Sequence, residues 1–189
     1  MAKLPFATVD HLSHKLFDIV HTDVWGPSPI LSNLGFRYFV VFVDDHSRFS
    51  WIFPLKNKSD VFSTFINFEN HVKLQFNCSI KAIHSDWGGE FQKLHTHLLR
   101  QGIIHRLACP YTHEQNGLAE RKIRHIVDTG LTLLAHASIP QKYWSYAFIS
   151  AVSSINNLPS TSINNQVPYT LLYNKPVNYL TSKIFGCEL

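Results

Sequence analysis

The sequence predicts an α/β fold: a mixed five-stranded sheet, three antiparallel strands then parallel additions, flanked by helices. Three observations carry this. Segments of strand period give way after residue 57 to helical ones, in the order βββαβαβαα. Residues 36–43 form a nearly unbroken apolar and aromatic run, the pattern of a strand buried on both faces. With 189 residues, 45% hydrophobic and 13% aromatic, the chain can build one sizeable core and is too apolar for disorder.

Residues 1–15 have no clear period and read as a lead-in. Phe17 to Val24 alternates as a strand with Asp23 near its end, and Trp25-Gly26-Pro27-Ser28-Pro29 stops it, because proline donates nothing to a ladder. Ser32-Asn33-Leu34-Gly35 reads as a turn into the apolar run. Asp44-Asp45-His46-Ser47 turns the chain again into Arg48–Leu55, so the first three strands form an antiparallel meander. Ser59 reads as an N-cap, after which Val61, Phe62, Phe65, Ile66, Glu69, Val72 and Phe76 recur at helical spacing. A helical crossover makes the next strand, Ile80 to Ser85, parallel to the first, and this strand delivers Asp86. Gly88-Gly89 breaks it. Phe91 to Gln101 is a second helix with Leu94, Leu98 and Leu99 inward, Gly102 ends it, and Ile103 to Leu107 is a further strand. Another helix begins near Thr112 or Asn116, with Ala119, Ile123, Ile126, Val127, Leu133, Leu134 and Ala137 along one face. Pro140 to Ile155 reads as the last long helix. Beyond Pro159 the composition turns to Ser, Thr, Asn and Pro; this tail is expected to be extended and to bury little, with a short helix near 168–173.

Charge and cysteine content narrow the class. A formal charge of +4 without a run of consecutive basic residues fits a distributed surface for a polyanion as well as an ordinary basic domain. Cys78, Cys109 and Cys187 are too few and too scattered for a disulfide framework or a paired-cysteine zinc site, which fits a reducing intracellular setting, nucleus or cytoplasm. No run of about 18 apolar residues occurs, so no membrane association is expected. The 12 histidines read mostly as structural, and the two-residue spacing of His95 and His97 sets them on different helix faces. Asp44, Asp45 and Arg48 read as a turn with a local ion pair, and Glu90 is expected to point away from Asp86. The four tryptophans read as core or core cover.

The chemistry lies in three acids. Asp23 and Asp86 come at strand ends, and Glu120 falls in the first turn or so of a helix, 33 residues separating it from Asp86. Each has a bland reading, as a turn or cap residue or a dipole partner. Brought together, three carboxylates repel unless something positive lies among them. Hard oxygen ligands of this kind suit Mg²⁺ or Mn²⁺. Two such ions about 3.5–4 Å apart would serve an in-line phosphoryl displacement.

Four motifs then carry a family resemblance: His21-Thr22-Asp23-Val24-Trp25-Gly26-Pro27, Val43-Asp44-Asp45-His46-Ser47-Arg48, Ser85-Asp86-Trp87-Gly88-Gly89-Glu90-Phe91, and Pro110 to Lys122 through Gln115-Asn116-Gly117-Leu118-Ala119-Glu120-Arg121. In this order they resemble the integrase catalytic core of copia-type (Ty1/copia) LTR retrotransposon polyproteins, over roughly residues 16–155. The resemblance implies an RNase H-like fold of the retroviral integrase superfamily, with Asp23, Asp86 and Glu120 as catalytic and metal-binding triad. It also implies two Mg²⁺ or Mn²⁺ ions, 3′-end processing by activated water, and strand transfer onto target DNA. Partners would be double-stranded DNA, both element ends and target, and other copies of the chain. The interval between the second and third acids is two residues shorter than usual in that family, and Trp87 and His113 stand where Asn and Pro are commoner.

On this resemblance the core is expected over 16–157, and 158–189 leads toward a C-terminal region the chain does not contain. With no upstream His/Cys zinc module either, the chain reads as a polyprotein fragment. Gln115 and Asn116 are candidates to touch a DNA end, and Arg121, Lys122 and Arg124 to contact phosphates. Two rival readings remain at this point: a catalytically silent nucleic-acid-binding remnant, and an RNase H-type nuclease on the same fold.

Overall fold

The computed structural model describes residues 13–86, 88–107, 117–181 and 183–187. Its elements are β1 Ile19–Trp25, β2 Tyr38–Asp44, β3 Ser50–Leu55, α1 Val61–Phe76, β4 Ala82–Ser85, α2 Gly89–Gln101, β5 Ile104–Leu107, α3 Gly117–His136, α4 Trp144–Asn157 and α5 Pro168–Tyr173. The five strands lie in the order β3-β2-β1-β4-β5. β1, β2 and β3 pair antiparallel, while β4 and β5 are added parallel beyond β1. This is the sheet the sequence predicts.

The alternation along β2 sets the layers. Val40 and Phe42 face one side, where Phe65, Phe68 and Val72 of α1 and Phe91, Leu94 and Leu98 of α2 close over them. Phe39, Val41 and Val43 face the other, against Ile123 and Ile126 of α3 and Trp144, Phe148 and Val152 of α4. Both faces of β2 are therefore dry, which is why its sequence is continuous rather than alternating. Phe42 stacks on Phe68 with ring centroids 4.4 Å apart, and Trp25 stacks on Phe39 at 5.1 Å.

Boundaries shift in ways local chemistry explains. A short 3₁₀ turn, Lys58–Asp60, precedes α1, so Asp60 rather than Ser59 occupies its N-cap. α2 starts at Gly89, two residues earlier than expected, and ends at Gly102, whose φ of 70° lets it return its N–H to Leu98 and Leu99. α3 and α4 approach so closely that a Cβ on Gly130 would lie 2.3 Å from Cδ1 of Phe148. Asn156 of α4 clamps β3: its Oδ1 accepts from the Ser50 N–H at 2.9 Å and its Nδ2 donates to the Ser50 carbonyl at 2.8 Å.

The tail departs from expectation. α5 forms where a short helix was expected, but the segment is not a mere extension, since Ile163, Pro168 and Leu172 are buried. Leu172 joins the α1–α2 core and Phe185 packs against the α3–α4 core. A few well-placed apolar side chains anchor a segment whose average composition is polar.

Candidate active site

The strand phase aims Asp23. Val20 and Val24 of β1 pack toward α1, whereas Trp25 packs with Phe39 and Phe148 on the opposite side. Alternation therefore turns Asp23 toward α3. The parallel register pairs His21 with His84; continued by two residues, it brings Asp86 beside Asp23. Asp86 comes directly after β4, with its Oδ1 accepting from the Gly88 N–H at 3.2 Å. Glu120 stands on the first turn of α3, exposed, while Ala119 and Ile123 beside it are buried.

Asp23 and Glu120 line one cleft of about 630 Å³, together with Trp25, Pro27, Arg124 and Asp128. Electrostatics ties all three acids together. The Asp23 carboxyl is raised to about 6, first by burial, with Asp86 and Glu120 adding like-charge repulsion; the Val24 N–H, 2.7 Å from its Oδ1, opposes the rise. Among the described residues, no three His, Cys, Asp or Glu side chains are gathered closely enough to hold a metal ion. The donor chemistry does fit a hard divalent cation: Asp23, raised first by burial and then by the charges of Asp86 and Glu120, is a carboxylate that such a cation would relieve.

Glu90 corrects the expectation that it points away from Asp86. A Cβ built on Gly88 would lie 2.9 Å from the Glu90 carboxylate and 3.2 Å from Asp86 Oδ1, so the two carboxylates flank the same glycine. Glu90 also contributes to raising Asp23, and Lys58 Nζ donates to its Oε1 at 3.0 Å. The signal was available: four residues after Asp86, in a helix begun by Gly-Gly, a Glu lies in the first turn and stays near the strand end.

The expected phosphate contacts do not form one group. Arg124 shares the cleft with Asp23 and Glu120, whereas Arg121 and Lys122 line a different cavity. Lys122 is no freely solvated lysine: burial, then Arg48, lowers it to about 8. Gln115 and Asn116 lie outside the described residues.

The β2–β3 turn and the α2 histidines follow the sequence reading. Asp44 Oδ2 accepts from the Ser47 N–H and hydroxyl, and its Oδ1 from the Phe17 N–H, all within 2.8 Å. Asp45 pairs with Arg48 at 2.9 Å and also meets His21 Nε2 at 3.1 Å. His95 meets His105 while His97 meets Glu69, on different faces of α2. No helix among the described residues is long and apolar enough to cross a membrane.

An integrase core domain profile matches residues 13–113. The chain belongs to that family. It is 48% identical over 185 residues to the retrovirus-related Pol polyprotein from transposon RE2 of Arabidopsis thaliana, covering 98% of this chain and 13% of that protein. It is 35% identical over 188 residues to the corresponding polyprotein from transposon TNT 1-94 of Nicotiana tabacum, covering 98% of this chain and 14% of the relative. The chain thus spans about one eighth of these copia-type polyproteins. The integrase fold is also that of a chain in the simian T-cell lymphotropic virus intasome solved with PP2A regulatory subunit B56 gamma. The match has a TM-score of 0.66 at 19% identity, over 92% of this chain and 65% of that one, a likeness of fold. The sheet order and the two helical layers are RNase H-like.

Proposed function

We propose that this integrase core is a divalent-metal-dependent polynucleotidyl transferase that processes 3′ ends and joins them to target DNA inside the cell. The supporting observation is that the buried Asp23 carboxyl, raised to about 6, feels the charges of both Asp86 and Glu120, so that three acids on three separate elements of an integrase core lie within electrostatic range of one another. Asp23 and Asp86 would hold one ion, and Glu120 with one of them the second. When bound, Mg²⁺ or Mn²⁺ would stabilise the entering and leaving oxygens of phosphoryl transfer.

The chain's own residues supply placement. The Val24 N–H holds one oxygen of Asp23, a residue that lines the cleft. Trp25, held between Phe39, Trp144 and Phe148, makes that wall rigid. Arg124, on the Glu120 side of α3, is placed to neutralise a phosphodiester entering the cleft. Double-stranded DNA would supply both the processed end and the target, and pairing two ends calls for more than one copy of the chain.

The test is Mn²⁺-dependent strand transfer, or its reversal on branched DNA. Wild type is expected to be active, and Asp86→Asn to lose at least about 100-fold while keeping its fold; a near-isosteric change at an exposed site should not unfold the chain. Folded wild type without metal-dependent turnover would instead favour a nucleic-acid-binding remnant. Equal cleavage of RNA–DNA hybrids would favour a nuclease.

A further inference from the structure

A second cavity, of about 590 Å³, opens on the other flank of α3. It is lined by Arg48 from the β2–β3 turn, Leu118, Arg121, Lys122 and His125 from α3, and Ser160, Thr161, Ser162 and Asn164 from the segment after α4. The helix spacing separates it from the catalytic cleft. Positions 120, 124, 127 and 128 face the cleft, 118, 121, 122 and 125 face this cavity, and 119, 126, 130 and 134 are buried, with Ile123 buried at the edge of the cleft. At about 100° per residue the first two stripes are centred roughly 125° apart. No residue lines both.

Its chemistry is that of an anion site. Two guanidinium groups, Arg48 and Arg121, and the amine of Lys122 meet His125 and three hydroxyl residues, with no acid in the lining. Part of the donor capacity is unused. Arg48 Nη1 is committed to Asp45, but its Nε is buried with no hydrogen-bond partner. Lys122 Nζ reaches the Arg48 carbonyl only at 3.5 Å, one long bond for a group with three protons. The left-handed φ of 59° at Arg48 belongs to the turn that presents this carbonyl and guanidinium to α3. Hydroxyls and forked guanidinium donors around a half-buried ammonium match the tetrahedral oxygens of a phosphate group.

We infer that this cavity seats a backbone phosphate of duplex DNA, at a site separate from the one where phosphoryl transfer occurs. The inference rests on the DNA-acting function proposed above and deepens it. The catalytic cleft holds the reacting phosphodiester, while α3 grips another stretch of backbone on its far side. The site reads no base sequence, since every donor it offers suits phosphate oxygens alike. It supplies a salt-dependent contact that positions the duplex.

Full-length chain and a short labelled duplex test this by fluorescence anisotropy between about 50 and 200 mM salt. Lys122→Gln removes a cation from the cavity. Ser162→Asp places a negative charge at its rim on an exposed position that folding tolerates. Ser154→Asp makes the same charge change on an exposed position of α4 outside both sites. Lys122→Gln and Ser162→Asp are each expected to weaken binding about tenfold at the lower salt. Each should also flatten the log–log salt slope by about 0.9, the value for one phosphate no longer neutralised, with Ser154→Asp within twofold of wild type. Wild-type affinity and slope in both cavity variants overturn the inference while leaving the proposed catalysis standing. So does an equal loss in Ser154→Asp, which would be an effect of net charge alone. Inorganic phosphate titrated without DNA separates the sources: perturbation of wild type but not Lys122→Gln, with duplex affinity unchanged, overturns the assignment to DNA. No duplex binding by folded wild type overturns both readings.

Discussion

Asp23→Asn isolates what the buried Asp23 charge costs the fold. In the folded chain the Asp23 carboxyl is raised from 3.8 to about 6 by burial, and then by Asp86, Glu120 and Glu90. A raised carboxylate disfavours the folded state once it ionises. Its neutral form is fully accommodated below the unfolded value of 3.8, and that accommodation is lost as pH rises through about 6. A shift of about two units corresponds to about 3 kcal/mol. Partial exposure and salt reduce this, so about 1–3 kcal/mol is expected. Asparagine keeps the oxygen that accepts the Val24 N–H and removes only the charge. Urea denaturation in EDTA should therefore show the variant more stable than wild type by that amount at pH 8. The two should nearly coincide at pH 4. A variant no more stable than wild type at pH 8, or stabilised equally at both pH values, would refute the reasoning.

Two further outcomes follow from the packing. Gly130→Ala would place a methyl 2.3 Å from the Phe148 ring and 3.3 Å from its backbone nitrogen, so despite alanine's better helix propensity a net loss of about 1–3 kcal/mol is expected in urea denaturation. His105, lowered to about 4 by burial and by His95, binds its proton more weakly when folded than its usual 6.5. Wild type should therefore lose stability, relative to His105→Gln, as pH falls from 6.5 to 4, and a constant difference across that window would contradict it.

Much of this was legible in one dimension. The continuous apolar run of β2, the period change before α1 and the Gly-Gly and Gly102 breaks delimit elements by local chemistry alone, and the element order implied the sheet. Asp23 and Asp86 were legible because strand ends display side chains and the crossover makes their strands parallel. What escaped depends on contacts far apart in sequence. Leu172 is buried because it meets the α1–α2 core, which tail composition cannot reveal. Arg121, Lys122 and Arg124 are neighbours in sequence, yet the rotational setting of α3 sends Arg124 to the cleft of Asp23 and Glu120 and the other two to a cavity closed by Arg48 and Ser162. Glu90 was misjudged because its direction turns on where α2 begins, and Gly89 starts it two residues earlier than the apolar pattern marks.

The central claim is that Asp23, Asp86 and Glu120 together hold the divalent cations of phosphoryl transfer. Anomalous diffraction at the manganese edge, from crystals of the chain soaked in Mn²⁺, tests it most directly. The account predicts a peak between Asp23 and Asp86, with any second peak on the Glu120 side and neither present in Asp86→Asn. Well-ordered carboxylates with no peak among them, or a peak that survives Asp86→Asn unchanged, would contradict it.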